Sequence, residues 1–177
     1  ILIGFGGMGR RYHQALKLMR IKVIAICDKK INLKDKNNFE KKTIFTTDYR
    51  TLSSFKADLL CVASNTQSRL NIISFFCQLG NIKKIITEKP LSTSYHDCLK
   101  IEKMIKKNKI RLIVNTHRSY SPNFLFLKKI FEKNKEKPST IFINSPSAGM
   151  GNMGSTFFDI AYFFFNTKPK SVVGKID

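Results

Sequence analysis

Gly4, Gly6 and Gly9 stand in the spacing GxGxxG, directly after the apolar run Ile1, Leu2, Ile3 and directly before a segment in which Met8, Tyr12, Ala15, Leu16 and Met19 share one helical face. Few chains can pass from strand to helix in so few residues. The first glycine allows the tight turn, the second lets a ligand approach the backbone, and the third lets helix and strand pack closely. The first helical turn also presents unpaired N–H groups and the positive end of the helix dipole, which suits a pyrophosphate. Gly4, Phe5, Gly6, Gly7, Met8 and Gly9 are therefore candidate cofactor-binding residues.

A glycine-rich turn with no ligand would show the same spacing, so the weight falls on the residues downstream of it. The second apolar run, Lys22 to Cys27, ends at Asp28, nineteen residues after Gly9. An acidic side chain about 20 residues beyond the glycines is placed to accept hydrogen bonds from the adenosine ribose. A methyltransferase would share this turn and this acid but would differ in its later motifs. Asp28 favours NAD because a carboxylate repels the 2′-phosphate of NADP, whereas Lys29 and Lys30 leave NADP open.

Four more short apolar runs come next, Thr43 to Thr46, Ala57 to Ala63, Ile82 to Thr87 and Ile110 to Asn115. Helical stretches separate several of them, with Leu70, Ile73, Phe76 and Cys77 on one face and Ile101, Met104 and Ile105 on another. This alternation predicts a Rossmann-type, doubly wound parallel sheet of the α/β class, its strands apolar on both faces. Ser94 with Asp97 resembles a capping box and sets the start of the later helix. Asn32 to Lys42 is too polar for the core and reads as a solvated helix or loop.

The texture changes near Thr116 to Ser121. A helix is expected from Ser121 to about Lys135, a strand over Thr140 to Asn144, a turn containing Gly149, Gly151 and Gly154, and an aromatic helix from about Thr156 to Phe165. Residues 1–118 are thus expected to form the nucleotide domain and 119–177 the start of an α+β substrate and oligomerisation domain. Ile1 already lies inside an apolar run and Ser171 to Asp177 reads as a strand just begun, so both ends look cut.

The net charge of +20 would suit a polyanion partner if the basic residues were clustered. They are dispersed over wet helix faces, and Lys far outnumbers the Arg that reads bases and phosphates in bidentate fashion. No specific nucleic-acid partner is expected. Cys27, Cys61, Cys77 and Cys98 are irregularly spaced, three of them in apolar runs, which suits reduced core thiols and no metal site. No apolar run is long enough to span a bilayer, and the cytoplasm is the expected compartment.

Four later segments carry a resemblance. Ser64, Asn65 and Thr66 follow the fourth strand, and Glu88, Lys89 and Pro90 follow the fifth. Asn115 to Pro122 reads Asn-Thr-His-Arg-Ser-Tyr-Ser-Pro, and Gly154 to Asp159 reads Gly-Ser-Thr-Phe-Phe-Asp. Together they resemble the glucose-fructose oxidoreductase and myo-inositol dehydrogenase family (Gfo/Idh/MocA), over essentially the whole chain. The resemblance implies a hydride-transferring, NAD(P)-dependent oxidoreductase of a sugar, polyol or sugar derivative. It places Ser64, Asn65, Glu88 and Lys89 at the cofactor, and Lys89 towards the nicotinamide and substrate hydroxyl.

His117 and Arg118 fall in the segment leading to the second domain and are candidate substrate contacts. The resemblance also implies a homo-oligomer formed through a large C-terminal sheet. Where the family has an aspartate and a histidine for acid-base chemistry, this chain has Asn152 and Thr156, neither a useful base near neutral pH. Lys89, Asn152 and Thr156 are the candidate catalytic positions. The alternative is a non-catalytic relative that keeps the cofactor loop without that pair. Asp159 reads as helix-terminal electrostatics, and Phe157, Phe158, Phe163, Phe164 and Phe165 as packing or a subunit interface.

Overall fold

In the computed structural model, residues 1–30, 39, 42–145 and 149–174 are described, the side chain of Asn152 excepted. Most of the polar stretch Asn32 to Lys42 lies outside them. The chain forms two compact units, Ile1–Asn115 and Thr116–Asp177.

The first unit carries β1 (Leu2–Ile3), α1 (Gly7–Leu18), β2 (Ala25–Cys27), β3 (Ile44–Thr46), β4 (Ala57–Val62), α2 (Thr66–Leu79), β5 (Ile82–Glu88), α3 (Tyr95–Lys107) and β6 (Arg111–Asn115). The six strands form one sheet in the order β3-β2-β1-β4-β5-β6, and every pairing is parallel. Parallel neighbours require crossovers, and α1, α2 and α3 supply those from β1 to β2, from β4 to β5 and from β5 to β6. Strand order reverses between β1 and β4, the two halves of the sheet growing outward from β1, where Ile3 pairs with both Cys27 and Val62. Ligands of such sheets bind beyond the carboxyl ends of the strands at that reversal.

Side-chain alternation splits the core in two. Leu2, Ile26 and Cys61 pack with Leu16 of α1 on one face, while Ile1, Ile3, Ala25, Cys27, Leu60 and Val62 pack with Ile72, Ile73, Phe76, Ile101 and Ile105 of α2 and α3 on the other. The period of two along each strand and of 3.6 along each helix meets in these two layers. The expected face of α1 is corrected at Ala15 and Met19: both are exposed, Met19 as the C-cap at 61%, because the protected row of the helix follows the i, i+4 spacing of Met8, Tyr12 and Leu16. Ser94 caps α3 as expected, accepting from the Asp97 N–H at 3.1 Å.

In the second unit, a single 3₁₀ turn (His117–Tyr120) precedes α4 (Pro122–Asn134) and α5 (Met150–Phe165). Phe164 meets Phe124, Phe131 and Phe163 edge to face, so several of the phenylalanines pack against one another. Two expectations are corrected. Thr140 to Asn144 and Ser171 to Gly174 are not strands, since an extended segment becomes a strand only when a neighbour pairs with its backbone. The aromatic helix starts at Met150 rather than near Thr156; Gly151 and Gly154 lie inside it, the packing of its apolar side chains outweighing their low propensity.

Candidate functional site

The glycine turn has the geometry its chemistry requires. Gly4 adopts φ +89°, and a Cβ there would lie 2.6 Å from the Ser64 nitrogen; one on Gly9 would lie 2.0 Å from the Gly4 carbonyl oxygen. Only hydrogen fits at these two positions. A Cβ on Gly6 or Gly7, by contrast, meets nothing within 4 Å. Open space therefore lies beside the N-terminus of α1, which no side chain caps, while Asn65 and Ser94 cap α2 and α3. Room and unpaired N–H donors together fit the pyrophosphate of a dinucleotide.

Asp28 extends from the end of β2 towards this turn. Its carboxylate accepts the Phe5 N–H at 2.6 Å and the Lys30 N–H at 2.7 Å. Asp28 thus staples the phosphate turn to the loop after β2, and each oxygen retains acceptor capacity for a ribose hydroxyl. Phe5 contributes differently from a lining side chain. Its ring is buried with Phe39 and His13, the Arg10 guanidinium lies 4.8 Å from the ring centroid, and its N–H goes to Asp28. Met8 is half-buried on the first turn of α1.

At the carboxyl ends of β4 and β5 the loops are held by side chains that sequence patterns did not mark as functional. Ser64 and Asn65 lead into α2, where Asn65 accepts the Ser68 N–H at 3.1 Å. Arg69, 5% exposed, directs Nε and Nη2 to the Ser64 carbonyl at 3.2 and 3.0 Å, and Nη1 to the Glu88 carbonyl at 2.6 Å and to that of Pro90. Burial lowers the pKa of Arg69, and the nearby negative charge of Glu88 opposes this. A signal was present: Arg69 lies four residues before Ile73, on the apolar face of α2.

Glu88 is buried. Its Oε1 accepts the Tyr12 hydroxyl at 2.7 Å and the Asn115 amide at 2.8 Å. Burial, with the adjacent carboxylate, pushes the Tyr12 pKa well above the usual phenol range. Tyr12 and Asn115 thus belong to the site's support, and Glu88 faces protein donors. Lys89 follows, half-buried and joined to Pro90 by a cis peptide.

The remaining candidates belong to the second unit. His117 and Arg118 are exposed on the 3₁₀ turn. Thr156 is 4% exposed, and the Asn152 side chain lies outside the described residues. Asp159 accepts the hydroxyl of buried Ser119, which ties α5 to the 3₁₀ turn. Burial pushes the thiols of Cys27, Cys61 and Cys77 up to about 11. All four cysteines are thiols. Among the described residues no cluster of His, Cys, Asp or Glu could hold a metal ion, and no helix is long and apolar enough to cross a membrane.

Comparison with known proteins agrees with this geometry. No curated protein matches the chain in sequence. Myo-inositol 2-dehydrogenase from Lactobacillus plantarum superposes with a TM-score of 0.79 at 18% identity, covering 95% of this chain and 56% of that one. The WlbA (WbpB) dehydrogenase from Thermus thermophilus, in complex with NAD and UDP-GlcNAcA, gives 0.76 at 18%, covering 92% and 61%. An oxidoreductase from Bacillus cereus gives 0.75 at 21%, covering 93% and 52%. The chain therefore spans little more than half the length of these structures, and the likeness is one of fold. The model of the GFO_IDH_MocA oxidoreductase family, described by its NAD-binding Rossmann fold, matches residues 1–116, and the chain belongs to that family.

Proposed function

We propose that this protein is an NAD(P)-dependent oxidoreductase that transfers hydride to or from a sugar, polyol or sugar derivative, and that NAD is preferred over NADP. Residues 1–118 serve as the cofactor domain and 119–177 begin the substrate domain. The observation that carries the reading is the open, uncapped N-terminus of α1 beside Gly6, with Asp28 stapled to Phe5 at the reversal between β1 and β4. The nicotinamide, when bound, supplies or accepts the hydride. Gly6, Gly7 and the first turn of α1 receive the pyrophosphate, and Asp28 the ribose. Lys89 stands on a main chain anchored at both neighbours and holds or moves the hydroxyl proton, and His117 and Arg118 contact substrate.

Fluorescence titration with NADH tests this in the full chain. Gly6→Val fills the space a pyrophosphate needs and should abolish binding while leaving the fold intact. Parent-like affinity in Gly6→Val would refute the assignment.

A second reading has an observation in its favour. Thr156 is buried, as expected of a packing residue rather than one that touches substrate, which favours a relative that binds the dinucleotide without efficient acid-base catalysis. Turnover of the reduced or oxidised cofactor with a panel of polyols separates the two.

A further inference from the structure

We propose that Arg69 is a positioning residue: one buried guanidinium clamps the loop after β4 to the Glu88-Lys89-Pro90 segment after β5, and thereby sets the wall of the cofactor cleft and the backbone of Lys89. The inference rests on the proposed cofactor site and adds to it the device that keeps the two loops in register.

The buried face of α2 is otherwise apolar, with Ile72, Ile73, Phe76 and Cys77 each at most 2% exposed. A guanidinium in that row must be desolvated, which is unfavourable unless its donors are satisfied. Here they are satisfied by three main-chain carbonyls belonging to two different loops, those of Ser64, Glu88 and Pro90. Only a planar fork with several N–H groups can serve two loops at once; an ammonium on a flexible stem cannot reproduce that geometry.

The two loops lie side by side because β4 and β5 pair in register, with Val62 opposite Thr87. Ser64, the residue Arg69 grips, is also the residue whose nitrogen excludes a side chain at Gly4. The clamp therefore reaches the glycine turn through a single residue. On the other side of the segment the Glu88 carboxylate is held by Tyr12 and Asn115. Main chain and side chain of Glu88 are thus fixed from different directions, and Lys89 is carried between two residues whose carbonyls Arg69 holds.

The test compares the parent full chain with Arg69→Lys, and with Arg69→Gln should the lysine variant fail to fold. Three quantities are measured: the thermal midpoint, hydrogen exchange of peptides covering 64–66 and 88–91 against those covering β4 and β5, and NADH affinity by fluorescence. The expected result is cooperative unfolding, exchange at least tenfold faster in the two loops with the strands unchanged, and NADH binding weakened at least tenfold. Arg69→Ala should recover part of its NADH affinity in millimolar guanidinium, a rescue that a merely space-filling role would not show.

Parent-like exchange in both loops, or unchanged NADH affinity in a variant whose loops have loosened, would overturn the proposal. If the parent itself fails to bind NADH while Arg69→Lys loosens only these loops, the clamp stands and the cofactor reading falls. If the parent binds NADH and the loops do not respond, the reverse holds.

Discussion

Tyr12→Phe removes one hydroxyl from the support of Glu88 and leaves the ring volume unchanged, so its effect isolates the hydrogen bond. The bond is 2.7 Å long and ends on a buried carboxylate. Hydrogen bonds to charged groups contribute about 1.5 to 3 kcal/mol. The lower end applies, about 1.5 kcal/mol, because Tyr12 is only half-buried and Asn115 still donates to the same oxygen. For a chain of this size that lowers the thermal midpoint by about 3 to 6 °C.

The pH dependence supplies a sharper test. The folded-state pKa of Tyr12 is raised by burial and by Glu88, so above about pH 10 the unfolded chain releases a proton that the folded chain retains. Stability from this group is therefore fully present below the ordinary tyrosine pKa and is lost as pH rises past it. Linkage puts the loss at about 1.4 kcal/mol by pH 11, discounted to about 1 kcal/mol for the partly exposed ring. The phenylalanine variant cannot titrate. Its deficit against the parent should shrink from about 1.5 kcal/mol at pH 8 to about 0.5 kcal/mol at pH 11. Urea unfolding of both proteins across that range measures it, and a deficit that stays constant or grows would refute the role given to Tyr12.

Gly9→Ala places a methyl group 2.0 Å from the Gly4 carbonyl oxygen, a clash with backbone that no rotamer relieves, and should cost more than about 4 kcal/mol; a parent-like thermal midpoint would contradict it. Because Asp28 is held by two backbone N–H groups, its carboxylate cannot swing away from a 2′-phosphate. NADH should therefore bind more tightly than NADPH, and a clear preference for NADPH in paired titrations would reverse the assignment. Lys89→Ala should abolish what turnover the parent has on a polyol, since positioned acid-base groups contribute about 10²- to 10⁴-fold. Efficient parent turnover unaffected by Lys89→Ala would exclude Lys89 from the chemistry.

The glycine turn, Asp28 and the strand-helix alternation were legible in the sequence because their physical causes are local. A tight turn, a capped helix and a period of two or 3.6 are properties of segments a few to some twenty residues long. Glu88 and Lys89 were singled out only through resemblance, since a charged pair after a strand has no local signature of function. The partners that give Glu88 its place were not visible: Tyr12 read as a core side chain of α1, and its hydroxyl finds a carboxylate 76 residues away. Arg69 broke the apolar face of α2 in plain view, yet its acceptors are carbonyls on two other loops, and a carbonyl leaves no trace in an amino-acid sequence. The same reason explains the segments read as strands at Thr140 to Asn144 and after Ser171. Side-chain pattern is written into the chain itself, whereas a strand, like a clamp, exists only when tertiary structure brings a second backbone within hydrogen-bonding distance.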